Sequence, residues 1–146
     1  MRRSPLKRKS KTPVAKLKVK LWELCKQLIR KRDDNVCFIC GKGDLAGASW
    51  HTGHFLPSAA CGAYLRYDLR NLHSSCYHCN INLGGNGAMF YVRLEATYGK
   101  KWLAKVFLDK RVTVKADEIF YLKLIEEYTT LLEKTQKQLQ AHTKQL

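Results

Sequence analysis

The sequence predicts an α+β protein: a small metal-stapled core of short strands, flanked by an N-terminal and a C-terminal helix. Three observations predict it. Two Cys-x2-Cys pairs, Cys37/Cys40 and Cys76/Cys79, stand thirty-five residues apart. Apolar residues recur at a helical period near each end of the chain. The block between, residues 36–83, is rich in Cys, His and Gly. With 146 residues the chain suffices for one domain with an extension.

Taken in order, residues 1–14 read as a disordered basic arm. The first twenty residues hold nine Lys or Arg and no acid, so +9 of the net +15 sits there. Arg2, Arg3, Lys7, Arg8, Lys9 and Lys11 are its candidate phosphate contacts. From Ala15 to Arg32, Leu17, Leu21, Leu24 and Leu28 predict a helix whose stripe Trp22, Cys25 and Ile29 widen. Cys25 is expected to be a packed core thiol. Asp33-Asp34-Asn35 closes this helix, and Ser49 to Pro57 alternates as a strand would. Gly84-Gly85-Asn86-Gly87 is a turn cluster. Met89–Tyr98 reads as a short helix stopped by Gly99, and Lys101–Leu108 as another. A long helix follows from about Val114 to Ala141. Its Ile125, Leu132, Leu139 and Leu146 recur every seven residues beside Tyr121 and Tyr128, which suits either a homodimer stripe or docking onto the chain's own core. The expected organisation is an arm (1–14), a core domain with its N-terminal helix and cysteine knuckles (15–112), and a C-terminal helix that is a candidate dimerisation element (113–146).

The charge points to a polyanionic partner, nucleic acid or an anionic membrane surface. Hydrophobic residues at 45% and aromatics at 10% exclude a wholly disordered chain. No apolar run approaches the roughly 18 residues of a membrane span, and no signal-like segment opens the chain. A soluble, intracellular protein without a membrane partner is therefore expected. In a reducing compartment, cysteine pairs two apart hold a metal more readily than they form disulfides. Four thiolates in two such pairs suit tetrahedral structural zinc, since a two-residue gap brings both sulfurs of a turn to one ion.

What lies between the pairs carries more chemistry. Ser49-Trp50-His51-Thr52-Gly53-His54 is followed by Arg70-Asn71-Leu72-His73 and by Cys76-x2-Cys79-Asn80. A His on a strand, an Asn five residues before a Cys pair and an Asn directly after it resemble the zinc-containing HNH, or ββα-metal, nucleases. Cys37-Phe38-Ile39-Cys40-Gly41, Leu65-Arg66-Tyr67, Ile29-Arg30-Lys31-Arg32-Asp33 and Tyr91-Val92-Arg93-Leu94-Glu95 narrow this to a resemblance to the NinG (Rap) family of lambdoid phage recombination endonucleases. The resemblance covers about residues 20–128. The knuckle arrangement is also similar to that of phage endonuclease VII, a dimeric junction resolvase.

The resemblance implies an HNH core and an endonuclease, expressed by a phage in the bacterial cytoplasm, that cuts branched DNA such as Holliday junctions to 5′-phosphate and 3′-hydroxyl ends. His54 would be general base. Asn71 would steady the loop and the imidazole's other nitrogen, and Asn80 would bind a catalytic Mg2+ or Mn2+. Many such nucleases carry Asp directly before the general base, where this chain has Gly53. His51 shares that strand parity, about 7 Å along, and stands as the candidate second ligand. An imidazole there favours Mn2+, Ni2+ or Zn2+ over Mg2+. Leu83 stands where many HNH helices place Lys, leaving Arg66 or Arg70 to clamp phosphate. His73 is a candidate for support behind the site, His78 and His142 for none, and Cys61 for a spectator. Tyr64, Tyr67 and Tyr77 are candidates for stacking on unpaired bases. Two symmetric cuts at a junction suit a homodimer, and a recombinase is a candidate partner. The competing readings are a non-catalytic zinc-knuckle DNA-binding recombination protein and an HNH nicking enzyme acting on linear duplex.

Overall fold

The computed structural model describes residues 12–143, with side chains through residue 138. The basic arm, Arg2 to Lys11, and Leu146 lie outside the described residues, as does the side chain of Leu139. Helix α1 spans Pro13–Arg32. It begins two residues before the expected Ala15 because Thr12 caps it, accepting a bond from the Ala15 N–H at 3.3 Å, and Pro13 fits the first turn. Arg30, Lys31 and Arg32 lie in its last turn, where positive charge complements the helix dipole. Asp33 ends it, and Asp34 and Asn35 take left-handed conformations (φ 49° and 55°) that turn the chain away.

The strands β1 (Trp50–His54) and β2 (Leu72–Cys76) form a two-stranded antiparallel sheet. Trp50 pairs with Cys76, Gly53 with His73 and His54 with Leu72. β1 is shorter than the alternation over 49–57 predicts, because beyond His54 the ladder gives way to side-chain capping. The Phe55 N–H reaches the Asn71 carbonyl (2.9 Å), while the Leu56 N–H is taken by the Asn71 side-chain oxygen (2.7 Å). The long connection carries a short helix, α2 (Ala63–Arg66), and a 3-10 turn, Leu69–Asn71. Fully buried Asn71 also donates to the carbonyls of Leu56 (3.0 Å) and Leu65 (3.2 Å), tying the loop's two ends together.

After β2 the chain makes a single π-helical turn, His78–Asn82. Left-handed residues Gly84, Gly85 and Asn86 then lead into α3 (Gly87–Tyr98). Gly99, at φ 86°, separates α3 from α4 (Lys100–Asp109). Helix α5 spans Glu118–Thr143 and starts later than the expected Val114 because Asp117 caps it, accepting from the Phe120 N–H at 3.1 Å. Among the described residues no helix is long and apolar enough to cross a membrane.

Two apolar clusters result. One gathers Cys37, Ile39, Leu45, Phe55, Phe90, Leu94, Leu103 and Val106 around the knuckles, α3 and α4. The other joins Leu21, Leu24, Leu28 and Ile29 of α1 to Tyr121, Ile125 and Leu132 of α5, with Leu72 of β2 and Tyr67 between them. The described part of the seven-residue stripe is thus spent within the chain: Tyr121, Ile125 and Leu132 are buried against α1, and the Tyr128 hydroxyl donates to the Tyr67 carbonyl at 2.7 Å. Of the two uses open to that stripe, the described part takes the intrachain one. Ile125→Ala should cost about 2–5 kcal/mol by leaving a cavity between α1 and α5. Urea unfolding followed by circular dichroism measures it, and a loss below about 0.5 kcal/mol would contradict this packing.

Candidate functional site

The ligating sulfurs of Cys37, Cys40, Cys76 and Cys79 all lie within 4.8 Å of one another, and Cys40 Sγ is 3.7 Å from Cys76 Sγ. Tetrahedral zinc with sulfur at about 2.3 Å puts the sulfurs roughly 3.8 Å apart, so the four cysteines can hold a metal such as zinc. Cys37, Cys76 and Cys79 are buried and Cys40 is exposed. The Cys79 N–H points at Cys76 Sγ (3.4 Å), and the Asn86 side-chain amide donates to Cys79 Sγ (3.8 Å). Although burial opposes it, backbone hydrogen bonds at Cys40 and Cys76 draw the Cys37 thiol down to about 7, while burial pushes its neighbours Cys40 and Cys79 up, so the proton leaves Cys37 first. Four thiolates leave no open coordination position, the arrangement of a structural centre. Cys25 is elsewhere, within the α1–α5 core, its thiol pushed up to about 12 by burial. Cys61 sits by the loop carbonyl of Leu56 (3.7 Å).

His54 ends β1, and its Nε2 lies 3.0 Å from the Arg66 carbonyl oxygen. A carbonyl only accepts, so Nε2 carries the proton and Nδ1 keeps a lone pair. The ring stacks on Trp22 of α1, with centroids 5.3 Å apart and planes within 4°. Burial pulls the imidazole below its ordinary 6.5, and the bond to the Arg66 carbonyl only partly opposes this. His54 is therefore neutral at neutral pH. It faces a cleft of about 430 Å³ lined by Lys18, Val19, Trp22, Ser58, Arg66 and Tyr67.

Asn71 does not touch the imidazole. Its side chain is consumed by the bonds to Leu56 and Leu65, and the hydrogen bond expected from it comes from the Arg66 carbonyl instead. Asn80 lies in the π-helical turn, half-buried, rather than at the start of a longer helix. A Cβ added at Gly53 would stand 3.4 Å from Asn80 Oδ1 and 3.3 Å from the Ser75 Cβ. The amide oxygen therefore rests against the residue before His54. Since neighbouring strand residues face opposite ways, Asn80 and the imidazole reach β1 from its two faces at its last two positions. His51, on the Gly53 face, donates from Nε2 to the Ala48 carbonyl (3.2 Å) and lies beside Tyr77, centroids 5.7 Å apart. Among the described residues, the cysteine quartet is the one group of three or more His, Cys, Asp or Glu that could hold a metal.

The two arginine candidates part company. Arg66 is exposed and lines the cleft beside His54. Arg70 is paired with Asp68 (2.5 Å) and Asp109 (2.9 Å), so its charge is spent on a structural tie. Tyr67 is buried against Tyr121 and offers no face to a base; Tyr64 is half-buried against the knuckle core, and Tyr77 is half-exposed. His73 is buried, stacked on Phe38 at 3.8 Å, with Nδ1 near Asp33 Oδ2 (3.2 Å) and the Arg32 guanidinium (2.8 Å). Against burial, hydrogen bonds from His73 and Arg32 hold the Asp33 carboxyl at about 2. His78 is exposed, and the side chain of His142 is outside the description.

Sequence reasoning missed Trp22, Lys18 and the Arg66 carbonyl as neighbours of the histidine. The indole's helical spacing marked only an apolar stripe, and a backbone carbonyl leaves no mark in a sequence.

A two-stranded sheet beside a four-cysteine cluster, within helices, defines a small α+β protein with a group of thiols that could hold a metal. The family model described as "Bacteriophage Lambda NinG protein" matches residues 2–142, and the chain belongs to that family. It is 39% identical over 74 residues to Protein ninG of Escherichia phage 933W, covering 50% of this chain and 35% of that protein. The corresponding protein of Salmonella phage P22 is 40% identical over 72 residues (49% and 34%), and that of Escherichia phage lambda 38% over 74 residues (50% and 35%). The chain thus spans about a third of the length of these relatives. No solved structure matches it.

A zinc-loaded preparation should carry one ion per chain by mass spectrometry. Stripping it should unfold the knuckle core, since structural zinc contributes on the order of 10 kcal/mol. An unchanged near-ultraviolet circular dichroism spectrum after complete metal loss would contradict a structural role.

Proposed function

We propose that the protein is a metal-dependent, structure-specific DNA endonuclease of the HNH type that acts on branched recombination intermediates such as Holliday junctions. The observation that carries this reading is His54. Its proton is fixed on Nε2 by the Arg66 carbonyl, its Nδ1 lone pair is uncommitted, and its pKa is held low. A neutral, oriented imidazole beside a cationic cleft is what a general base for phosphodiester hydrolysis needs. Membership of a phage NinG family and a net charge of +15 support a DNA substrate.

In this reading His54 Nδ1 takes a proton from the attacking water. The new O–P bond forms as the bond to the 3′-oxygen breaks with its electron pair on that oxygen, which takes a proton from solvent, leaving 5′-phosphate and 3′-hydroxyl ends. Arg66 offers its guanidinium to the phosphate, and Asn71 keeps the loop that supplies the Arg66 carbonyl in place. Asn80 and His51, which would hold a divalent ion such as Mg2+ or Mn2+, approach β1 from the face opposite the imidazole, so an ion there would meet the phosphate at His54 only past the end of the strand. When bound, that ion would neutralise charge on the phosphate and leaving oxygen. The cysteine quartet with zinc would serve only as scaffold. Two symmetric cuts call for a homodimer; since Tyr121, Ile125 and Leu132 pack on α1, the rest of the C-terminal helix or another surface would make it.

One observation favours a second reading. Gly53 and a donor set without a carboxylate also suit a zinc protein that binds DNA and does not cut it. A cleavage assay on a four-way junction and a matched linear duplex, with Mn2+, separates the two. The wild type should cut the junction. His54→Ala should bind it equally and cut about 10²–10⁴-fold more slowly. A wild type that binds and cuts nothing under any divalent ion would falsify the endonuclease reading, and equal cutting of linear duplex would remove the branch specificity.

The pH dependence has a definite sign. The base acts deprotonated, so activity is present above the folded-state pKa and lost as pH falls through it. Because burial lowers that pKa, the acid limb of log kcat against pH should have its midpoint below 6.5. A midpoint at or above 6.5 would speak against His54 as the base.

A further inference from the structure

Helix α1 lies outside the strand-and-knuckle core, yet it faces the histidine. Trp22 covers one face of the His54 ring, nearly parallel at 5.3 Å. Lys18, one helical turn earlier, lines the same cleft, with Val19 beside it. Arg66 and Ser58, from the loop after β1, line it as well. No acid lines it; Glu23, the one acid of α1, is paired with Lys26. An apolar floor, two cations and a neutral imidazole thus share one cleft of about 430 Å³.

Resting on the endonuclease reading above, we propose that α1 builds one wall of the hydrolytic site. In this arrangement Trp22 positions the His54 imidazole, and Lys18 binds the phosphate chain of the DNA strand that enters between it and Arg66. Two constraints fix an imidazole plane: a hydrogen bond along one edge and a flat contact on one face. The Arg66 carbonyl provides the first and the indole the second, so the ring is held in one plane at the edge of the cleft. Trp22 never needs to touch substrate; it acts through the histidine. Lys18 supplies, from α1, a cation for the phosphate chain in a protein whose position 83 is leucine.

The test uses the full zinc-loaded chain with Trp22→Leu, Trp22→Phe and Lys18→Ala. Trp22→Leu keeps an apolar side chain and removes the flat ring. It should lower kcat about 10²-fold with KM little changed, as misplaced catalytic groups do. The His54 imidazole titration, followed by NMR and assigned with His54→Ala, should shift in the same variant. Trp22→Phe restores a flat ring and should recover most of the rate and the wild-type titration. Lys18→Ala should weaken four-way junction binding, read by fluorescence anisotropy without added divalent ion, and reduce its salt slope by about one. Wild-type kcat and an unmoved His54 titration in folded Trp22→Leu would overturn the positioning role. Should Trp22→Leu not fold, failure of Trp22→Phe to keep the wild-type titration would do the same. Unchanged junction affinity and slope in Lys18→Ala would overturn the phosphate contact. A wild type that cuts no DNA defeats the endonuclease reading alone, because the titration and the anisotropy still decide whether α1 holds the histidine and the strand.

Discussion

The arrangement depends on one constraint: sulfurs from residues 37–40 and 76–79 converge on a single point. The first knuckle follows α1 by only a few residues, and the second begins at the last residue of β2. Joining them lays the segment after α1 alongside β2. The Phe38 N–H bonds the Ser74 carbonyl (2.9 Å), and the Ser74 N–H bonds Asp33 Oδ2 (2.7 Å). β2 is consequently buried along its whole length, with Leu72 turned to α1 and His73 to Phe38 and Phe90. Because β1 is registered on β2, the quartet also sets where His54 ends the strand. Asn80, one residue past a ligand, inherits its place from the same cluster.

Much of this was legible in the sequence because it is local. The cysteine spacing, the helical stripe of α1 and the glycine between α3 and α4 each follow from residues a few positions apart. Helix starts were less exact. Pro13 reads equally as part of a mobile arm or as the first turn of a helix, and the Thr12 cap decides between them. The stripe of α5 shows a different limit. A seven-residue period says that Ile125 and Leu132 need an apolar partner, not whether it is another chain or α1 of the same one.

The candidate site was legible in residue type and opaque in partnership. His54, Asn71 and Asn80 stand out by identity and order. The bonds that define them do not, since the oxygen held by His54 is a backbone atom of Arg66, as every residue possesses. Arg70 was indistinguishable from Arg66 as a free cation until Asp109, distant in sequence, was seen to neutralise it. Trp22 contributes to an apolar stripe and to the histidine's surroundings at once, and only the second use requires the fold.

Gly53 and Asn80 are best understood together. The added Cβ that would meet Asn80 Oδ1 at 3.4 Å and Ser75 Cβ at 3.3 Å shows that the glycine admits the amide oxygen close to the strand. A larger side chain at 53 would have to displace that oxygen or the Ser75 side chain. The position where the HNH resemblance calls for a carboxylate is therefore approached by a neutral amide. In the endonuclease reading this replaces a negative donor with an uncharged one, and His51, if it joins, adds another uncharged donor. A divalent ion held so would gain much of its charge compensation from the phosphate oxygens of bound DNA. Ion affinity and DNA affinity are then linked, each raising the other by the same factor.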